Sequence, residues 1–150
     1  MSDRSTYTTG ENVFRRWSWR GWGYRSDLIA GDYMRRWTVR TPLGMVRLHH
    51  IMRSDNDRHF HDHPFNFISI ILRGGYIESR PKEPPEIYLP GNVLFRFAED
   101  LHYLKLLDRD AWTLVLATNP RRRWGFETED GWIDAADYDE WLAERKQETA

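Results

Sequence analysis

The chain has 150 residues, a formal net charge of -1 and no cysteine, which suits one domain with its own core and excludes disulfides and thiolate metal sites. The balanced charge argues against nucleic acid or an anionic membrane as a partner. No apolar run approaches the ~18–20 residues of a membrane span, and the polar opening MSDRSTYTTGEN lacks the apolar stretch of a signal peptide, so a soluble, cytoplasmic protein is expected.

Residues 1–34 read as an N-terminal arm. Within it, VFRRWSWRGWGYR (13–25) alternates basic and aromatic residues. Such a run can stack on nucleic acid, but the charge is local and no known motif accompanies it. Trp17, Trp19 and Trp22 are therefore expected to pack on the body of the protein, with the arginines in water. Eight tryptophans and an aromatic content of 15% point mainly to core filling.

Short strand patterns then dominate. Segments 35–41 and 45–52 flank Pro42-Leu43-Gly44, and 65–72 (FNFISIIL) ends at Gly74-Gly75. Shorter strands are expected at 76–79, 86–89, 93–97, 102–107 and 112–117, with loops at 81–85 and 108–110. At least seven short strands at this spacing predict an all-β barrel over about 35–118. Residues 119–150 form a C-terminal extension. In it, a helix starts near residue 135, where Asp134 and Asp137 offer caps and Tyr138, Trp141, Leu142 and Arg145 recur at helical spacing.

All six histidines lie within residues 49–102, three of them in HFHDHPF (59–65). Two histidines at i and i+2 on a strand share a face, so His61 and His63 present two imidazoles side by side while Asp62 points away. His59 shares their parity but follows the loop SDNDR. His49 and His50 are adjacent, so at most one faces inward, and neither is expected to ligate. A lone barrel histidine is usually a hydrogen-bonded core residue; a pair at this spacing is harder to explain that way.

Around this pair the sequence resembles the cupin superfamily (the RmlC-like cupins), which implies a double-stranded β-helix, or jelly-roll, barrel. The first cupin motif is His-x-His, three or four residues, Glu, six residues, Gly. Here His61-x-His63 is followed at that spacing by Phe67 and Gly74, with Phe67 in place of the metal-binding Glu. The second motif runs from Gly to His; Gly91 and His102 have its separation, with Phe97 and Glu99 in place of Pro and Gly. The stretch HDHPFNFISIILRGGY also looks like a group of small bacterial and phage cupins marked by His-Asp-His-Pro-aromatic. The resemblance covers about residues 35–118 and implies one divalent metal on His61, His63 and His102.

Three neutral imidazoles suit Fe(II), Zn, Ni, Mn or Co with open positions. A three-histidine set resembles the thiol-dioxygenase branch of cupins, which favours Fe(II). The His-x-Asp of the 2-oxoglutarate hydroxylases is absent, since Phe60 stands two before Asp62. Glu99 is expected to be a solvent group rather than a ligand. By parity Phe65, Phe67, Ser69, Ile71 and Arg73 follow the histidine pair inward. Arg73, and Arg47 on the neighbouring strand, are then candidates for holding a substrate carboxylate or phosphate, because a buried guanidinium needs an anionic partner. Tyr88 and Tyr103 are candidate proton donors, and Arg121-Arg122-Arg123 reads as a solvated basic turn.

These features lead to an oxygenase-like Fe(II) enzyme acting on a small anionic metabolite. The alternatives are a sugar-type isomerase or epimerase, with His63 as base and Tyr88 or Tyr103 as acid, and a non-catalytic small-ligand-binding protein. A homodimer is expected only by analogy with other cupins.

Overall fold

The structure is a computed structural model that describes residues 12–29, 32–55 and 59–148. The chain opens with β1 (Asn12–Trp19), β2 (Trp22–Ile29), β3 (Met34–Thr41) and β4 (Gly44–Ile51). A two-residue strand, β5 (Phe60–His61), precedes β6 (Phe67–Arg73), β7 (Tyr76–Ser79), β8 (Glu86–Tyr88), β9 (Val93–Arg96), β10 (Tyr103–Leu106) and β11 (Ala111–Ala117). The tail forms a hairpin, β12 (Gly125–Thr128) and β13 (Gly131–Asp134), and the helix α1 (Tyr138–Glu148).

These strands make three antiparallel sheets. The largest has the order β1-β2-β3-β4-β11-β6-β9; the smaller ones are β10-β7-β8 and β13-β12-β5. The core lies between the large sheet and the β10-β7-β8 sheet. Met45, Ile51, Phe67, Ile71, Leu94, Ala111 and Val115 face inward from the first, and Tyr76 meets them from the second. Burial alternates along β6, β7, β9 and β11, as expected of strands with one face on the core.

Residues 12–29 depart from the expected arm. They form a hairpin that adds two strands to the large sheet, with β2 paired to β3 from Gly23 to Ile29. The turn is Arg20-Gly21, with φ of 43° and 81°. Positive φ at both central residues is the two-residue turn whose twist matches that of the flanking strands, and glycine at the second position makes it accessible. Trp19 and Trp22, expected to pack inward, are 59% and 47% exposed; they flank the turn at the far end of the hairpin, where the Arg20 guanidinium lies 5.1 Å over the Trp19 ring. The side chain of Trp17 lies outside the described residues.

The tail forms a second small core. Phe126 stacks on Tyr138 with ring centroids 3.7 Å apart, and Trp124, Ile133, Trp141 and Leu142 pack around them. The helix thus uses the residues its spacing indicated. Its entry is held by Ala136 N donating to Asp134 Oδ1 at 2.8 Å. No helix among the described residues is long and apolar enough to cross a membrane.

Candidate metal centre and ligand cavity

His61, His63 and His102 converge. Their ligand-capable nitrogens all lie within 4.8 Å of one another, and the Nε2 atoms of His63 and His102 are 2.7 Å apart. Backbone pairing explains the convergence. His61 N donates to His102 O at 2.9 Å and His102 N to His61 O at 3.0 Å, while His63 N donates to Ala98 O at 2.9 Å. The three side chains therefore start from backbones already fixed to one another.

Asp62, between the two paired histidines, points the other way as parity predicts, and it is buried. Its Oδ1 accepts from Gly125 N at 2.7 Å. Its Oδ2 accepts from Arg122 Nη1 at 2.7 Å and from Trp132 Nε1 at 3.0 Å. One carboxylate thus binds the segment that carries two of the histidines to the C-terminal hairpin.

Sequence reasoning missed Glu78. On β7, it is buried and accepts from His102 Nδ1 at 2.6 Å, with Arg96 closing on it through Nε at 3.1 Å and through Nη2. Burial alone would raise its pKa, but hydrogen bonds from His102 and Arg96 outweigh this and bring it down to about 2. The carboxylate therefore stays ionised and directs the lone pair of His102 Nε2 toward the other two imidazoles. Metal-ligating histidines commonly rely on such outer partners to orient the ring. The Glu absent at Phe67 thus has a counterpart one layer out, on a different strand. The alternation on β7 that buries Tyr76 and Glu78 together was the available signal.

Burial also keeps the other two imidazoles neutral. The pKa of His61 falls to about 4, and that of His63 falls well below its ordinary 6.5. In the metal-free protein the unfolded chain therefore binds protons that the folded protein does not. Stability should be fully present above about pH 6.5, where histidine is neutral in both states, and should fall as the pH drops toward 4. Urea titrations of chelator-treated protein between pH 7.5 and 4.5 check this; a midpoint that does not fall with acid would contradict it.

The histidines open onto a cavity of about 310 Å³. Phe65, Phe67, Trp124 and Phe126 form its apolar lining near the histidines, and Tyr33 and Tyr76 reach it from other walls. Arg47 lines it as expected, its guanidinium carbon 4.6 Å from the centroid of Phe65. The structure corrects Arg73. Parity holds through Phe65, Phe67, Ser69 and Ile71, but a register shift then inserts Leu72, so that Trp112 faces Arg73 while Thr113 faces Ile71. Arg73 is exposed and does not line the cavity. The cause is the turn that follows: Gly74 has φ of 73°, and a Cβ there would lie 2.2 Å from the carbonyl oxygen of Asp110. The chain must leave regular geometry one residue early to make that approach.

Tyr88 and Tyr103 do not line the cavity either. The Tyr88 hydroxyl accepts from Arg96 Nη2 at 2.9 Å and donates to Glu86, and the Tyr103 ring lies edge-on to Phe60. The acid–base pair of an epimerase reading, His63 with Tyr88 or Tyr103, is not assembled.

Other sequence candidates fall outside the cluster. Glu99 is exposed and ion-paired with Arg121 at 3.0 Å. His59 meets Tyr138 Oη at 2.8 Å, and His50 meets Asp110 Oδ2 at 2.8 Å while stacking on Trp112. Neither His49 nor His50 joins the metal-type group, although His49 does line the cavity. Arg122 and Arg123 of the basic turn pair with Asp62 and Asp134, at 2.7 and 2.6 Å.

No protein-family model matches the chain, and no curated protein does. Solved structures do match. A cupin-2 domain protein from Rhodospirillum rubrum aligns over 78% of this chain and 82% of its own, with a TM-score of 0.56 and 13% identity. An uncharacterised conserved protein with a double-stranded β-helix domain from Klebsiella pneumoniae aligns over 64% of this chain and 85% of its own, with a TM-score of 0.52 and 10% identity. The DMSP lyase DddQ from Ruegeria pomeroyi aligns over 59% of this chain but only 48% of its own, with a TM-score of 0.48 and 21% identity, so the matched region is about half of that enzyme. The chain has the cupin fold, a double-stranded β-helix. Within that fold it carries a histidine triad suited to one divalent metal.

Proposed function

We propose that this protein is a mononuclear metal enzyme of the cupin fold that acts on a small anionic metabolite. His61, His63 and His102 would hold the ion, with Fe(II) the expected metal and Zn, Ni or Mn the alternatives. The observation that carries this reading is the convergence of three imidazoles at the wall of a cavity that also contains a guanidinium.

The donor set fits such an ion. His102 is buried and oriented by an ionised carboxylate, burial favours the neutral form of His61 and His63, and the other nearby carboxylate, Asp55, stays 4.0 Å from His61 Nδ1. Three protein ligands leave coordination positions free, and a bound Fe(II) would supply a Lewis acid and one-electron chemistry there. The protein's own contribution is positional. Arg47 would bind and orient the anionic group, while Phe65, Phe67 and Phe126 exclude bulk water and raise the strength of each polar contact.

Elemental analysis of protein purified without chelator or affinity tag tests the reading. About one equivalent of a single first-row metal is expected, and oxygen uptake after iron loading would distinguish the oxygenase from other metal chemistry. Protein that neither retains nor takes up metal would end the proposal.

Glu78→Gln should keep the shape of the site but remove the charge behind His102. Metal affinity is expected to fall by about 10- to 100-fold, the usual cost of losing an outer partner. Competition with a colorimetric chelator measures it; unchanged affinity would show that Glu78 serves packing alone.

A further inference from the structure

The cavity wall away from the histidines is unusually basic, and its charges come from two rows across the large sheet. Register places Asp27 beside Arg36 and Arg36 beside His49 in one row, and Arg25 beside Thr38 and Thr38 beside Arg47 in the other. All of these are on the inner face, where neighbouring side chains stand about 5 Å apart.

Asp27, fully buried, is the only carboxylate among these residues. Arg25 Nε approaches its Oδ2 at 2.7 Å and Arg36 Nη2 its Oδ1 at 3.0 Å. Among the described residues, Arg47 has no carboxylate partner. Its contacts are Met45 Sδ at 3.4 Å and the face of Phe65, and burial together with the neighbouring Arg36 pulls its pKa down to about 9. The Nε atoms of Arg36 and Arg47 and the Nε2 of His49 are shut off from solvent and make no hydrogen bond. Three guanidiniums against one carboxylate leave a formal excess of two positive charges on this wall, part of it screened by solvent because the Arg25 side chain is 40% exposed. Burial holds His49 neutral, and Asp55, a carboxylate that lines the cavity, lies by His61. The buried part of such charge, at Arg36 and Arg47, is costly unless a counter-charge arrives.

We propose that Arg47, Arg36 and His49 form a subsite for one dianionic group, so that the substrate is a small phosphate monoester whose other end faces the histidine triad. A monoanion would leave one charge unmatched, whereas a phosphoryl dianion matches both and accepts from several donors at once. Phe65 sets the spacing. Its ring is in reach of both Arg47 and His63, 4.6 Å from the guanidinium carbon and 5.9 Å from the His63 centroid, so a group held by Arg47 ends near the cluster. The inference rests on the anionic-metabolite reading above and specifies its charge and anchoring residues.

Calorimetry with inorganic phosphate on the full chain, as purified and after chelator dialysis, tests it. Phosphate should bind in both preparations and raise the melting temperature, and acetate should bind at least about tenfold more weakly, as expected where charge-assisted hydrogen bonds are lost. Arg47→Gln and Arg36→Gln should each weaken phosphate by about tenfold or more, while Arg73→Gln leaves it unchanged. Melting curves without phosphate confirm that the variants fold, and relief of repulsion makes Arg47→Gln the safer of the two.

His102→Ala separates this inference from the metal reading. Phosphate affinity retained in that variant supports an arginine-based subsite even if no metal is ever found. Loss of phosphate binding there would place the anion on the metal and overturn the proposal. Equal affinity for phosphate and acetate, or wild-type phosphate affinity in both Arg47→Gln and Arg36→Gln, would also overturn it.

Discussion

Alanine in place of His102 should take bound metal from about one equivalent to far below stoichiometry, with a larger loss of affinity than the ~10–100-fold expected for an outer partner such as Glu78. His102 is the ligand with the most support. It is buried, its Nδ1 is tied to Glu78 and its Nε2 lies 2.7 Å from that of His63. Its removal takes away one of three donors and also leaves Glu78 paired with Arg96 alone. Because Arg96 remains, the buried carboxylate is not left without a counter-charge, and the fold should survive. Elemental analysis read alongside far-ultraviolet circular dichroism checks both parts. Full metal occupancy in a folded His102→Ala protein would remove the triad from consideration.

Asp62→Ala should be the most damaging change to stability, costing about 3–5 kcal/mol, as expected when one partner of a buried ion pair is lost. The Asp62 carboxylate satisfies the Gly125 amide, the Trp132 indole and Arg122 together, and alanine would leave all three without it. The effect should also reach the metal site, because Asp62 lies between two of the proposed ligands. Chemical denaturation measures the loss; a change below about 1 kcal/mol, the size expected of an exposed pair, would show that Arg122 and Trp132 find other partners.

The histidine pair and the aromatic lining were legible because strand parity is a local rule. From His61 and His63 it extends correctly through Phe65, Phe67, Ser69 and Ile71, and it fails at Arg73, where Gly74 forces an irregular step. A rule with period two has no memory of where a bulge falls. Glu78 was hidden for another reason. Its partner His102 is 24 positions away, and only the pairing of β7 with β10 brings the two segments together. The basic wall was half visible, since Arg47 could be placed but the contributions of Arg25, Asp27 and Arg36 depended on strands β2 and β3 lying flat against β4. The Arg20-Gly21 turn signal was present in WSWRGWGY, but the density of arginine and tryptophan around it suggested a loose arm. Hairpin β12–β13 carries a comparable signal in Asp130-Gly131, just beyond the strands that the barrel pattern prompted.

The two-residue strand β5 has a practical consequence for anyone wishing to move this centre into another protein. His61 lies in a segment too short to hold its own conformation, and it takes its direction from Phe126 on one side and His102 on the other. A graft limited to residues 35–118 would transfer every histidine but not the hairpin against which His61 and Asp62 are set. The smallest portable unit of the centre therefore extends through the closing hairpin to Tyr138, whose ring caps Phe126 from behind.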